Sequence, residues 1–466
     1  MQNSDYHWPG PFKTVMAHQK TTTCFMVNNP RSFVLNDMGT GKTASTLWAL
    51  DYLLLTGKIK RALIVAPLST LERVWRDEAF KILTSRRVEV LHGSAKKRRD
   101  LYNQQWDIGI INYDGLPILE DQIKADTSLT AIVVDEATAY RNTTINRFKL
   151  MYKLSERMDY LWLMTGTPTP QEPTDAYGLA KLLRNGRAPK FFGSFKRATM
   201  RQITQFKWIP KPDGYEKAFN ILQPAVRYHK EECVDLPPMT IQSWDIALSA
   251  HQKLAYKLMQ KKMKVEFANA SGELPAVNAA DKINKLRQIA CGVVRDTAAN
   301  EYLVLDHKPR LAATMDAIEQ ASAKCIVVVP FKGIINQLAH EIGKHHSVGV
   351  INGDVPTKER NQLVTEFMNT PDPHTLLVHP RVMAHGLTLT AADTMVFYAP
   401  IYSNEETQQI IQRINRPGQT KKMTVVRLGA TALEWRIYDS TERRAEGEAF
   451  LLDLYREVLT ATSLSA

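Results

Sequence analysis

The sequence predicts an α/β protein of two tandem lobes, each a doubly wound parallel sheet, with short helical insertions between them. Short apolar runs of strand length alternate with helical patterns, and they do so in two blocks. The 466 residues exceed what one ordinary core serves. Leu236-Pro237-Pro238-Met239 is a poor helix and a poor central strand, so it suits a crossing between blocks. The expected lobes are residues 1–238, with a basic helical insertion near 178–235, and 239–466, with a helical segment near 245–300.

In chain order, Arg31 to Leu35 reads as a strand, and Thr43 to Leu55 as the helix that follows a glycine-rich turn. Ala62 to Val65, Ile108 to Ile111, Ile132 to Val134 and Leu161 to Leu163 are continuous apolar runs, the pattern of parallel strands buried on both faces. From about Gly178 to Met263 the rhythm breaks into a helical, basic stretch. Asn269 to Asn278, with Ser271-Gly272 and Pro275, reads as a loop. The rhythm returns with Ile326 to Val329, the helix Lys332 to Ile342, Thr375 to Val378, Met395 to Phe397 and Thr424 to Val426.

A net charge of +12 and a pI near 9.3 point to a polyanionic partner. No apolar run is long enough to span a bilayer, and the first residues carry neither a basic start nor an apolar segment, so neither membrane insertion nor a signal peptide is expected. The four cysteines are scattered, which fits buried free thiols in a reducing compartment better than a zinc module or a disulfide framework.

The turn Asn36-Asp37-Met38-Gly39-Thr40-Gly41-Lys42-Thr43 sits between strand and helix, the setting of a phosphate-binding loop. Gly39, Thr40 and Gly41 let backbone N–H groups approach phosphates at a helix N-terminus. Lys42 reaches the β- and γ-phosphates, and the Thr43 hydroxyl binds Mg²⁺. The strict pattern has glycine where Asn36 stands. Such a loop alone does not separate kinases, GTPases and motors. Asp135-Glu136 closes an apolar strand, where a carboxylate can hold the metal and its neighbour can orient or deprotonate water. Thr165, Gly166 and Thr167 close the next strand and can couple the metal site to the rest of the lobe. Far downstream, Gln409, Arg413 and Arg416 precede Pro417-Gly418-Gln419. On a helix they would share roughly one face, and two guanidiniums could neutralise charge on a γ-phosphoryl group held by the first lobe.

In this order the segments resemble those of helicase superfamily two, most closely the Swi/Snf-like ATPases, which are DNA translocases and remodelers. The likeness covers nearly the whole chain. It also rests on Arg61 to Ser69 with Val74-Trp75, Ile111 to Asp114, Leu236-Pro237-Pro238, Gln252 with Tyr256, Leu286 to Ile289, Asn352-Gly353-Asp354, Glu359-Arg360, Phe367 and Gly386 to Asp393. The resemblance implies two RecA-like lobes, ATP with Mg²⁺, and Gln19 as the reader of adenine. It implies DNA as partner, duplex favoured, gripped by phosphates near Pro67, Ser69, Asn112, Tyr113, Gly353 and Arg381. Lys96 to Arg99 could form a basic rim or a solvated turn. Departures from the family pattern are Thr138 for histidine, Met383-Ala384 for a glycine pair, Thr388 for asparagine and Glu172 for asparagine.

The leading expectation is an ATP-driven translocase on double-stranded DNA. The alternatives are a strand-separating helicase and an ATP-gated clamp that recruits a partner nuclease. A compact bacterial- or phage-type member would work in the cytoplasm of a bacterium or of a phage-infected host, as a monomer, with a protein partner possible for targeting.

Overall fold

The computed structural model describes residues 1–2, 5–11, 15–170, 172–204, 208–233, 236–269, 276–296, 301–383 and 387–442. The chain forms two compact units, Met1–Asp235 and Leu236–Ala466.

In the first unit the strands are β1 (Arg31–Val34), β2 (Arg61–Ala66), β3 (Val88–Val90), β4 (Ile108–Asn112), β5 (Leu129–Val134) and β6 (Tyr160–Met164). A small antiparallel pair follows, β7 (Met200–Gln202) with β8 (Trp208–Pro210), and then β9 (Ala225–Val226). Seven strands make one sheet in the order β3-β4-β2-β5-β6-β1-β9, every pairing parallel. Side chains alternate between faces along each strand. Phe33, Leu63, Val65, Ile132, Val134, Leu161 and Leu163 join one core layer; Val34, Ala62, Ile64, Ala131, Val133, Trp162 and Met164 join the other. Both faces are covered, which is why the runs are continuously apolar rather than alternating.

The second unit adds β10 (Met239–Asp245), the antiparallel hairpin β11 (Val293–Asp296) with β12 (Glu301–Val304), β13 (Lys324–Val328), β14 (Val348–Ile351), β15 (Thr375–Val378), β16 (Ala392–Phe397) and β17 (Met423–Gly429). Its six-stranded parallel sheet runs β10-β17-β16-β13-β15-β14. The same division into two layers recurs, Ile326, Val328, Leu376 and Met395 on one side and Val327, Leu377, Val396 and Val426 on the other.

The structure corrects several expectations. The basic middle stretch is not purely helical. It supplies β9, which adds an edge to the first sheet, and β10, whose seven residues pair with β17. Prolines 237 and 238 keep the strand from starting earlier, and an edge position tolerates them. The expected loop 269–278 is helical at both ends: one helix runs Ala250–Asn269 and the next Ala276–Cys291, while residues 270–275 lie outside the described residues. Ala279, Ile283 and Leu286, at helical spacing, pack with Leu248, Tyr256 and Leu305, and that burial supports the second of these helices. Of the cysteines, Cys291 and Cys325 are buried, but Cys24 and Cys233 are only half-buried.

The second unit also encloses an ion pair, Arg310 with Glu434, at 2% and 0% side-chain exposure. Arg310 Nη2 donates to both carboxylate oxygens, at 2.8 and 2.9 Å, and Glu434 also accepts from the Ala430 amide at 2.9 Å. Removing one partner strands a buried charge. We expect Glu434→Ala to destabilise this unit by about 3–5 kcal/mol, read as an earlier midpoint in urea denaturation.

Candidate functional site

In a parallel sheet every strand ends at the same edge, so the topology alone gathers the loops after β1, β2, β4, β5 and β6. Those loops carry Asn36 to Gly41, Pro67 to Ser69, Asn112-Tyr113, Asp135-Glu136 and Thr165 to Thr167.

The turn after β1 requires its glycines. Gly39 and Gly41 have φ of +83° and +82°, in the left-handed region. A Cβ on Gly41 would lie 2.1 Å from Gln19 Nε2, so the Gln19 amide and the bare Gly41 backbone face each other. Helix Lys42–Leu55 starts directly after Gly41. The Lys42 ammonium lies over the turn, 2.7 Å from the Asn36 carbonyl and 3.1 Å from that of Asp37. Asn36, in the place of the usual glycine, is buried. It donates from Nδ2 to Thr22 Oγ1 at 2.9 Å and accepts at Oδ1 from the Tyr228 amide at 3.0 Å. The asparagine thus bolts the turn to helix Ala17–Asn28 and to the chain after β9. His18 Nε2 lies 2.8 Å from the Thr40 carbonyl, a support that no motif signals.

Asp135 follows β5. The buried Trp75 indole donates to its Oδ2 at 2.9 Å, and the Glu136 amide to its Oδ1 at 3.1 Å. Burial raises the Asp135 carboxyl above its ordinary range, while the Trp75 donor and the Lys42 charge pull the other way. Lys42 therefore acts on Asp135 across the intervening strand β6, which joins the two motifs electrostatically. Glu136 is a non-glycine residue at φ +47°, a conformation held by its surroundings. Tyr113 supplies part of that hold: its hydroxyl donates to the Asp135 carbonyl at 2.6 Å and reaches the Glu136 carbonyl at 3.3 Å. Burial, then the charges of Asp135 and Glu136, pushes the phenol well above its usual range, so it remains a donor.

The Thr165 hydroxyl accepts from the Thr167 amide at 3.1 Å. A Cβ on Gly166 would meet Met38 N at 3.5 Å and Asn36 O at 3.6 Å, so this turn flanks the glycine-rich one. The Thr167 hydroxyl oxygen is buried with no hydrogen-bond partner among the described residues. A cradle that a Cβ would close, a desolvated carboxylate in the field of the Lys42 ammonium, and an orphaned hydroxyl fit a triphosphate with an oxygen-liganded divalent cation.

Trp75→Phe tests this electrostatic reading. Losing a donor to the ionised form raises the Asp135 pKa further. The acidic limb of kcat/KM for ATP should move to higher pH, as a full pH–rate profile would show.

Among the residues expected to touch nucleic acid, Ser69 is exposed beside the half-buried Pro67. Asn112 is buried and its Oδ1 accepts from Arg98 Nη1 at 2.9 Å; with the Tyr113 hydroxyl committed to Asp135, both side chains face inward. The run Lys96 to Arg99 is not a turn but part of helix Ala95–Tyr102, started by Ser94 accepting from the Lys97 amide at 3.3 Å. Lys96, Lys97 and Arg99 are exposed on it, while Arg98 turns inward and also donates to Leu91 O and Gly93 O.

In the second unit Gly353 follows β14 and Arg381 follows β15, both exposed. The condition set for the arginines, a shared helix face, is not met. Helix Asn404–Ile411 carries the buried Gln409 but ends before Arg413 and Arg416, which lie on the turn beyond it. Two causes end it. Pro417 disfavours helical backbone at Arg416, and the Arg413 carbonyl is taken by the Leu389 amide at 3.0 Å. The guanidiniums converge nonetheless. Arg413 Nη1 and Arg416 Nη1 lie 3.4 and 3.3 Å from the Leu387 carbonyl, and Arg416 donates to Thr388 Oγ1 at 2.7 Å. Gly418 at φ +100° and the buried Gln419, whose Nε2 donates to Ala392 O at 2.8 Å, fix the turn. Ala384 and Gly386 lie outside the described residues.

Comparison with known proteins supplies the family. A protein of Acyrthosiphon pisum secondary endosymbiont phage 1, p41, is 28% identical over 88% of this chain and 90% of its own length. An uncharacterised ATP-dependent helicase of Mycoplasma genitalium is 24% identical over 88% of this chain, and the chromodomain-helicase-DNA-binding protein 1-like of Danio rerio 23% over 94%. The chain spans only 39% and 44% of those two. Among solved structures, the Sulfolobus solfataricus SWI2/SNF2 ATPase core in complex with dsDNA is similar at 21% identity and a TM-score of 0.43, over 98% of this chain and 97% of that one. Among the described residues no helix is long and apolar enough to cross a membrane. The helicase conserved C-terminal domain matches residues 309–420. The SNF2-related domain matches residues 18–293, more than half of the chain, which therefore belongs to the SNF2 family of helicase superfamily two ATPases.

Proposed function

We propose that this chain is a DNA-stimulated ATPase that translocates along duplex DNA. The observation that carries the reading is the coupling at one sheet edge of the Lys42 ammonium, the desolvated Asp135 carboxylate and the backbone-strained Glu136.

In this reading Gln19 contacts the adenine, and the Gly39 to Gly41 backbone with Lys42 holds the phosphates. Thr43 and Asp135 would hold Mg²⁺, which when bound offsets phosphate charge. Glu136 positions the attacking water and takes its proton. Thr165 to Thr167 relay the state of this edge to the rest of the lobe. Arg413 and Arg416 are assigned the positive charge that offsets the γ-phosphoryl group, with Gln409 on the preceding helix assigned to the same task. The exposed Ser69 with Pro67, Gly353 and Arg381 are the proposed phosphate contacts on DNA. The inward Asn112 and Tyr113 contribute their backbone and brace the acidic turn.

The test is steady-state ATPase activity at low salt without DNA, with single strands and with blunt duplex. Duplex should stimulate strongly, and the stimulation should fall steeply as salt rises. Stimulation by single strands alone would replace translocation on duplex with strand separation. No stimulation by either would leave the ATP-gated clamp.

A further inference from the structure

Between Ala176 and Pro212 the chain has nine lysines and arginines and no aspartate or glutamate. Within it, helix Phe192–Thr199 is pinned by Phe195, which is buried in the core of the first unit and lies 5.8 Å from the Tyr177 ring. Its neighbours face outward: Phe191 is 64% exposed and Phe192 44%. The Phe192 ring rests edge-on against Tyr177 at 5.3 Å, which fixes its orientation. Lys190 Nζ stands 5.3 Å from the Phe191 ring, and Lys196 Nζ 4.6 Å from the Trp208 ring. Arg197 and Arg201 are exposed on the same segment.

Two adjacent aromatic rings left in water, amid a positive surface whose bordering Asp213 is paired with Lys217, describe a ligand with both anionic groups and flat apolar faces. Duplex DNA offers the phosphates but keeps its base faces stacked inside. A folded protein partner would have to be strongly acidic around an aromatic pocket. Single-stranded nucleic acid presents base faces and phosphates together. We propose that this surface binds an unpaired strand at the junction with a duplex, Phe191 and Phe192 stacking on bases and Lys190, Lys196, Arg197 and Arg201 neutralising phosphates. The inference rests on the DNA-stimulated reading above and gives it a substrate: duplex that carries an unpaired extension.

The experiment measures binding of the full chain, by fluorescence anisotropy, to a blunt duplex and to the same duplex with an unpaired thymidine extension. Wild type should favour the extended DNA by about tenfold or more, as stacking on two rings predicts. The double variant Phe191→Ala/Phe192→Ala should bring the two affinities within about twofold. Phe191→Leu/Phe192→Leu keeps an apolar surface without flat rings and should not restore the preference. Equal wild-type affinity for the two DNAs, or a preference that survives either double variant, overturns the proposal. So does binding to anionic lipid vesicles that depends on Phe191 and Phe192 while the DNA preference does not. Wild-type ATPase on blunt duplex is read separately: its absence would sink the motor reading and leave the binding ratio to judge this one.

Discussion

Lys42→Ala should lower steady-state ATP turnover by at least about 10²-fold, the scale of losing a preorganised charge at a developing anion. Lys42 has two tasks at the sheet edge. Its ammonium covers the carbonyls of Asn36 and Asp37, and its charge opposes the burial that raises the Asp135 carboxyl. Alanine removes both, so nucleotide affinity and turnover fall together. Glu136→Gln separates them: the amide keeps the shape of the side chain but cannot take a proton, so ATP binding should persist while hydrolysis is lost. Fluorescent-nucleotide binding beside single-turnover hydrolysis checks both variants. Normal turnover by Lys42→Ala would remove the basis for placing ATP chemistry here.

Arg416→Ala should reduce kcat by about 10³-fold or more, as loss of an arginine finger does, with a far smaller change in ATP affinity. Arg416 donates to Thr388 and shares the Leu387 carbonyl with Arg413, so the turn holds the two guanidiniums side by side. The same expectation applies to Arg413→Ala. Arg416→Lys keeps the charge but loses the planar fork, and it should rescue only weakly. Equal losses in kcat and in affinity would contradict a role confined to the transition state. A thermal melt accompanies the kinetics, because either arginine could also loosen the segment before β16.

How far the site could be read in advance depended on the range of each signal. The setting of Lys42 and Thr43 was legible because its signal is local: a strand, a glycine turn and a helix start follow one another in sequence. The strand end that carries Asp135 and Glu136 was legible for the same reason, a carboxylate pair closing an apolar run. Whether Arg413 and Arg416 stand on a helix was left conditional by their spacing, because the end of that helix involves the Leu389 amide, far away in sequence, acting with the nearby Pro417. Asn36 looked like a flaw in the motif, and the structure shows it as a bolt to Thr22 and Tyr228. Arg98 looked like one more surface charge in a basic run until the fold turned it toward Asn112 and Leu91.

The sequence by itself determined the two α/β lobes, the order of the motifs along the chain and the strand ends on which they fall. These depend on apolar periodicity and on short spacings that survive without knowledge of the rest of the chain. Only the tertiary structure decided that Trp75 and Lys42 tune Asp135, that Tyr113 braces the acidic turn rather than facing solvent, and that Phe191 and Phe192 are left in water. Each of those facts depends on which distant segment covers a side chain. Burial and hydrogen bonding come from packing between elements, and a side chain's own neighbours in sequence do not specify them.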